Sequence, residues 1–368
     1  MTLNRFQMWM YAVIATLMAM CLGACSEAGT GGEPEEPATW YHAGFYLTVG
    51  EQNTTSRAPQ EGTYDPGEGY ENYVDLDNVQ VHLYDMAGNY SGPVTDFTIT
   101  PIGESSGGKR YKLDGKTKVN ISSGKFKVVV LANWPSYPEN LSFGNLWETT
   151  FTFNPSVPLS SANALPLYGV KDVSLTDVKP TQLVNLGTIH LLRAGAKIEV
   201  IVDDPEDFWY VKTLRLTHYN TVGFCAPQVM SQSEYVKDNW NQDYVGRAFV
   251  PENSGVRTDL DFRKIADRTE SADHKDHYLL YVPEYYNNVE SIPMSQISVE
   301  FENSTSGVQY IPFYHPVSGN TMDIMRNLWY KITIRKKDEN SNIRFEVDVI
   351  PYKVCELDPI FGLTPATH

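Results

Sequence analysis

Apolar and polar positions alternate with a period of two over most of the chain, the signature of strands with one buried face. In residues 79–84, Val79, Val81 and Leu83 share one face. Tyr330, Ile332 and Ile334 alternate with Lys331, Thr333 and Arg335, and Phe345, Val347 and Val349 alternate with Arg344, Glu346 and Asp348. Residues 125–131 (KFKVVVL) are more continuously apolar, as a strand covered on both faces would be. Turn formers punctuate these runs, at 87–89 (AGN), 107–108 (GG), 114–115 (DG), 123–124 (SG), 254–255 (SG) and 318–320 (SGN). Helical signals are short, with residues 231–238 the main example. Regular turn spacing with few helices predicts an all-β chain of tandem β-sandwiches.

The N-terminus departs from this pattern. Arg5 precedes an apolar run over residues 8–22, and Leu22-Gly23-Ala24-Cys25 follows. A short apolar core ending in small residues is a signal peptide rather than a membrane span. The cysteine behind those small residues matches a bacterial lipobox, so residues 1–24 read as a lipoprotein signal peptide. Cys25 is then the lipidated N-terminus, held at a membrane by its acyl chains. Residues 25–40 form a flexible acidic linker, rich in Glu, Gly and Pro and unable to bury a core.

Length, charge and cysteines then narrow the classes. The chain has 368 residues, which favours two domains. Its net charge of −16 repels phosphate and argues against nucleic acid as a partner. Once Cys21 leaves with the signal and Cys25 carries lipid, Cys225 and Cys355 remain; whether they pair as a disulfide is open. Two cysteines are too few for a CxxC-type zinc site.

Chemistry-bearing motifs are sparse. Residues 103–107 fit GxSxG, but a strand follows where a nucleophile elbow needs a helix, so this reads as a hairpin loop. His274 and His277, spaced HxxH, read as a solvated loop. Residues 75–78 (DLDN) lack the rest of a calcium loop and read as a polar strand entry. No phosphate loop or dinucleotide fingerprint is present. The sequence therefore offers no catalytic residue, metal site or cofactor site, and a non-enzymatic role is expected.

The motifs taken in order carry a resemblance. A lipobox precedes FYLTV (45–49), TSRA (55–58) and YDPGEGYENY (64–73). There follow VQVHLYD (79–85), VVVLANW (128–134), LPLYG (165–169), LRAGAKI (192–198), LYVPEY (280–285), RNLWY (326–330) and a terminal IPY with a later FG. This order resembles the fimbrillin family, the subunits of type V pili of Bacteroidales, over nearly the whole mature chain. The acidic linker likewise resembles surface-export signals of Bacteroidales lipoproteins.

The resemblance implies two tandem transthyretin-like, Greek-key β-sandwiches, over residues 58–188 and 189–368. It implies a first strand and propeptide at 41–57, removed by an arginine-specific protease cutting between Arg57 and Ala58. The strand removed carries Phe45, Leu47 and Val49 on one face, and a neighbouring subunit's strand would fill the groove it leaves. The partners implied are other fimbrial subunits, the protease, the outer membrane through the precursor's lipid, and a receptor on a host or bacterial surface. The place implied is the cell outer membrane as a lipoprotein precursor, then a surface fimbrium that supports adhesion. A donor segment is expected at residues 354–364, although Pro359 and Gly362 interrupt its alternation. Tip and anchor subunits, and a tethered glycan-binding lipoprotein, are the alternatives.

Overall fold

The computed structural model describes residues 39–49, 69–105, 108–180, 182–186, 189–203, 210–228, 230, 257–287, 293–302, 307–314, 321–336, 343–351 and 355–358. Cys25, Arg57, Ala58 and the helical signal at 231–238 lie outside these. Residues 1–39 and 40–368 are separate contact units, and the account below concerns the second.

The predicted all-β architecture is what the chain forms. β1 (Tyr41–Val49), β2 (Gln80–Tyr84), β3 (Tyr90–Ser105), β4 (Gly108–Thr117) and β5 (Gly124–Ala132) come first. A single-turn helix, α1 (Phe143–Glu148), leads to β6 (Thr150–Thr152), β7 (Leu167–Leu175), β8 (Leu183–Asn185) and β9 (Ile189–Arg193). Then follow β10 (Gly195–Asp203), β11 (Val211–Asn220), β12 (Val222–Phe224), β13 (Arg257–Asp261), β14 (Arg263–Ala266) and β15 (Asp276–Pro283). The last are β16 (Gln296–Phe301), β17 (Gln309–Pro312), β18 (Leu328–Lys336), β19 (Ile343–Pro351) and β20 (Cys355–Asp358).

Nine strands make the first sheet, in the order β20-β9-β7-β5-β2-β3-β4-β1-β8. β20 also pairs with β1, so the sheet closes on itself. The chain leaves this sheet between Arg193 and Gly195. A five-stranded sheet, β14-β15-β10-β18-β19, then faces a four-stranded one, β13-β11-β16-β17. Their inner faces meet through Ile198, Val200, Leu280 and Ile332 on one side and Leu214, Leu216, Ile297 and Val299 on the other.

Two apolar clusters hold these layers. One fills the interior of the nine-stranded sheet, with Phe45, Val81, Leu83, Leu113, Val128 and Val130 among its members. The other lies between the five- and four-stranded sheets, and it also takes in Tyr84, Val129, Leu131, Tyr168 and Val170 from the opposite face of the first. β5 is thus buried on both faces, as its unbroken apolar run predicts. β2 differs from expectation: His82 and Tyr84 are buried as well as Val81 and Leu83. Tyr84 is covered by α1 and its flanks, its ring 4.6 Å from that of Phe143 and its hydroxyl donating to the Leu141 carbonyl at 2.6 Å, while the His82 ring packs 5.8 Å from that of Tyr90.

Some of the turn signals find their places, but Asp114-Gly115 lies inside β4, where Gly115 makes room for the Phe97 ring and Val94, and 254–255 and 318–320 lie outside the described residues. Asp85 accepts from the Asn89 backbone N–H at 2.8 Å, and Gly88 takes φ +90°, closing the β2–β3 hairpin. Ser105 pairs with Gly108 across the β3–β4 hairpin, so the GxSxG match ends a strand as read. Asp75 caps a 3-10 turn at Leu76–Asn78, accepting from the Asp77 N–H at 3.2 Å, which is the polar strand entry expected.

Candidate functional site

The site singled out by the sequence is the strand that carries Phe45. The alternating run extends four residues further upstream than FYLTV shows, starting at Tyr41. Tyr41, Ala43 and Phe45 are buried in the first cluster. Phe45 has no solvent exposure, and its ring meets that of Phe97 edge-on at 5.9 Å. Leu47 and Val49 continue the strand opposite Tyr111 and Lys109.

The two edges of β1 are built differently. Along one, β4 pairs antiparallel with every residue from Tyr41 to Val49. Along the other, β8 runs parallel to His42, Ala43 and Gly44, while β20 lies antiparallel to Tyr46 and Leu47. β1 is therefore a wedge, held by one continuous ladder and two short ones. Taking it out would bare the whole β4 ladder together with the apolar sites of Tyr41, Ala43 and Phe45.

Those sites differ in size. Ala43 stands opposite Gly115. A Cβ built on Gly115 would come within 2.7 Å of both the Phe97 ring and the Val94 side chain. The absent side chain leaves room for the Phe97 ring, which meets Phe45 edge-on. The slot is narrow at its middle and broad at the two aromatic positions.

β20 was not foreseen in this place. Residues 354–364 read as a segment reaching outward, whereas Cys355, Glu356 and Leu357 pair with Leu191, His190 and Ile189 of β9 in the chain's own first sheet. Sequence patterning cannot find such a pairing, because the partners lie far apart along the chain and four residues hold little periodicity. Cys225 is a free, buried cysteine whose backbone N–H donates to the Thr149 carbonyl at 2.8 Å. Burial pushes that thiol up to about 12.

Buried charge links the stretch that follows the segment containing Arg57 to the rest of the molecule. A 3-10 turn at Gly69–Asn72 places Glu71 and Asn72 among Arg193, Lys197, Tyr281 and Asn327. Arg193 donates from Nε to the Glu71 carbonyl at 2.8 Å, from one terminal nitrogen to Asn327 Oδ1 at 3.0 Å, and from the other to Asn72. Lys197 Nζ lies 3.0 Å from Glu71 Oε1, which also accepts from the Tyr281 hydroxyl. A second pair is fully enclosed: Arg326 donates to Glu284 at 2.7 Å and to the carbonyls of Cys225 and Phe224 at 3.0 and 2.8 Å. Sequence reading missed both, since polar residues look solvated until their neighbours are known.

His277, one half of the HxxH pair, is part-buried rather than solvated. Its Nδ1 meets Glu199 Oε1 at 2.8 Å, and its Nε2 meets both Asp273 carboxylate oxygens at 3.1 Å. Burial alone would lower its pKa, but these two carboxylates outweigh that and raise it. No group of three or more metal-ligating side chains converges among the described residues.

No family model matches this chain, and no curated protein matches it significantly. Its fold is shared with solved structures. The tip fimbrial protein Mfa3 from Porphyromonas gingivalis, with a C-terminal truncation, superposes with a TM-score of 0.51 at 14% identity, over 85% of this chain and 100% of that one. A putative cell adhesion protein from Parabacteroides distasonis gives 0.47 at 13% identity, over 86% and 98%. A fimbrilin (fimA) from P. gingivalis gives 0.43 at 14% identity, over 85% and 98%.

Proposed function

We propose that this chain is a structural subunit of a surface fimbrium of the type V kind, exported as a lipoprotein and assembled by strand exchange. In this reading Cys25 carries the lipid and an arginine-specific protease cuts between Arg57 and Ala58. β1, with Phe45, Leu47 and Val49, then leaves together with the anchor. The observation that carries the proposal is the construction of β1: a buried strand with one unbroken ladder, joined to the body through the segment that contains Arg57. Its loss would create an unpaired edge lined with apolar sites, and a strand from another subunit would satisfy both needs at once. The fold shared with a fimbrial tip protein supports the same role.

A tip position is favoured over a shaft position by β20. Residues 355–358 of the segment expected to reach a neighbour are engaged within their own subunit, so in this reading the chain is better equipped to accept a strand than to donate one.

The test is the intact mass and N-terminal sequence of the protein taken from the cell surface. Material beginning at Ala58 and lacking lipid is expected, with detergent-resistant multimers that an Arg57→Ala variant fails to form. A diacylated Cys25 in all the surface material would overturn the cleavage route and leave a tethered anchor or binding protein.

A further inference from the structure

Residues 69–78 lie between β1 and β2 in the chain, and they form a strap fastened from two sides. On one side the Gly69–Asn72 turn is buried against β9, β10 and β15. The Glu71 carbonyl accepts from Arg193 Nε at 2.8 Å, and Asn72 accepts from the same guanidinium. The Glu71 carboxylate meets Lys197 Nζ at 3.0 Å and accepts from the Tyr281 hydroxyl.

On the other side stands Asn133, just past the end of β5. Its φ of +59° lies in the left-handed region that asparagine tolerates. Its Nδ2 donates to the Tyr73 carbonyl at 2.7 Å, and its Oδ1 accepts from the Asp75 N–H at 2.8 Å. Further along, the Tyr137 hydroxyl donates to the Asn78 carbonyl at 2.5 Å. Between these points Val74 is buried in the first apolar cluster.

β1 is held by other partners. Its ladders run to β4, β8 and β20, and none of the strap's bonds named above is made to β1. The two sets of bonds can therefore break separately. They also differ in kind. Strand ladders open locally over a wide range of costs, whereas parting Glu71 from Arg193 and Lys197 would leave charges buried without their partners. An opening that starts at β1 and spreads along the chain meets the strap before it reaches β2.

We propose that the strap is a latch: β1 parts from the first sheet while the chain from Gly69 onward stays docked, with Glu71, Asn133 and Tyr137 as the residues that halt the opening. The latch rests on the strand-exchange reading for its use, since a subunit that gives up its first strand must keep the rest of its fold.

The experiment is native-state hydrogen exchange, read by mass spectrometry on the purified full chain at low urea concentrations. In the wild type, amides of β1 are expected to exchange at least about 100-fold faster than those of residues 71–78 and β2. Glu71→Gln keeps the shape and removes the charge. It should speed exchange in 71–78 and β2 by at least about tenfold and leave β1 unchanged, because β1 opens with the strap still docked. Asn133→Gly, which still reaches a positive φ, and Tyr137→Phe each remove side-chain bonds to the strap without touching a charge. Each should give the same pattern at about fivefold, so the outcome does not depend on one variant folding. The latch is overturned if wild-type β1 exchanges no faster than β2, or if the variants speed β1 as much as they speed the strap. Variants that leave 71–78 and β2 at the wild-type rate overturn it too. The readout needs no cut chain, so its failure is distinct from that of the cleavage route, which the mass and N-terminal sequence decide.

Discussion

At the scale of single residues, two histidines set opposing dependences on pH. His82 lies buried in β2 with its Nε2 2.9 Å from Gln80 Oε1 and, among the described residues, no partner for its Nδ1. Desolvation lowers its pKa to about 4. The folded state therefore resists a proton that the unfolded chain takes up near 6.5. The stability this gives is fully present above 6.5 and is lost as pH falls toward 4, by up to about 3 kcal/mol. His277 runs the other way: its raised pKa stabilises the fold at low pH and ceases to do so as pH rises through the folded value. Urea titrations from pH 4 to 8 should show His82→Gln flattening the acid-side loss, and His277→Gln losing stability mainly on the acid side.

At the scale of elements, the narrow middle of the β1 slot invites a direct test. Gly115→Ala places a Cβ within 2.7 Å of the Phe97 ring and Val94, so one of them must move. The expected cost is about 1–3 kcal/mol, the usual range for overpacking, read by urea denaturation. Hydrogen exchange should localise the loosening to β1 and β4. Much at this scale was legible beforehand. Tyr330, Ile332 and Ile334 point inward as their alternation says, and the continuous run in β5 is covered on both sides. What sequence withheld were facts of long-range contact. Whether Tyr84 faces water depends on a helix some sixty residues later, and the seat of β20 depends on β9, which lies well over a hundred residues earlier. In the candidate site, Phe45 was legible from period-two spacing, whereas the burial of Tyr41 and Ala43, inside the expected first strand and propeptide at 41–57, was not. Glu71 and Arg193 look like surface residues until the partners that neutralise them are known.

At the scale of the whole molecule, the sheets share more than a covalent connection. Tyr84, Val129, Leu131 and Tyr168 project from the first sheet into the cluster that also fills the space between the other two. Arg193 bonds to Asn327, tying the last residue of β9 to the turn before β18. Residues 40–368 should thus unfold as one cooperative unit. Calorimetry is expected to give a single transition with matching calorimetric and van't Hoff enthalpies. Tyr84→Ala should lower its midpoint without splitting it, and two resolved transitions would show that the clusters melt independently.

The closure of the first sheet by β20 has a consequence for storage. A ring of strands has no first or last member, so it offers other chains little to zip onto. Precursor held at high concentration should therefore not associate through the first sheet, and amide exchange in its strands should stay independent of concentration. Breaking the ring at any one strand would change that character at a stroke, turning an inert sheet into a sticky one while leaving most of its covalent structure intact.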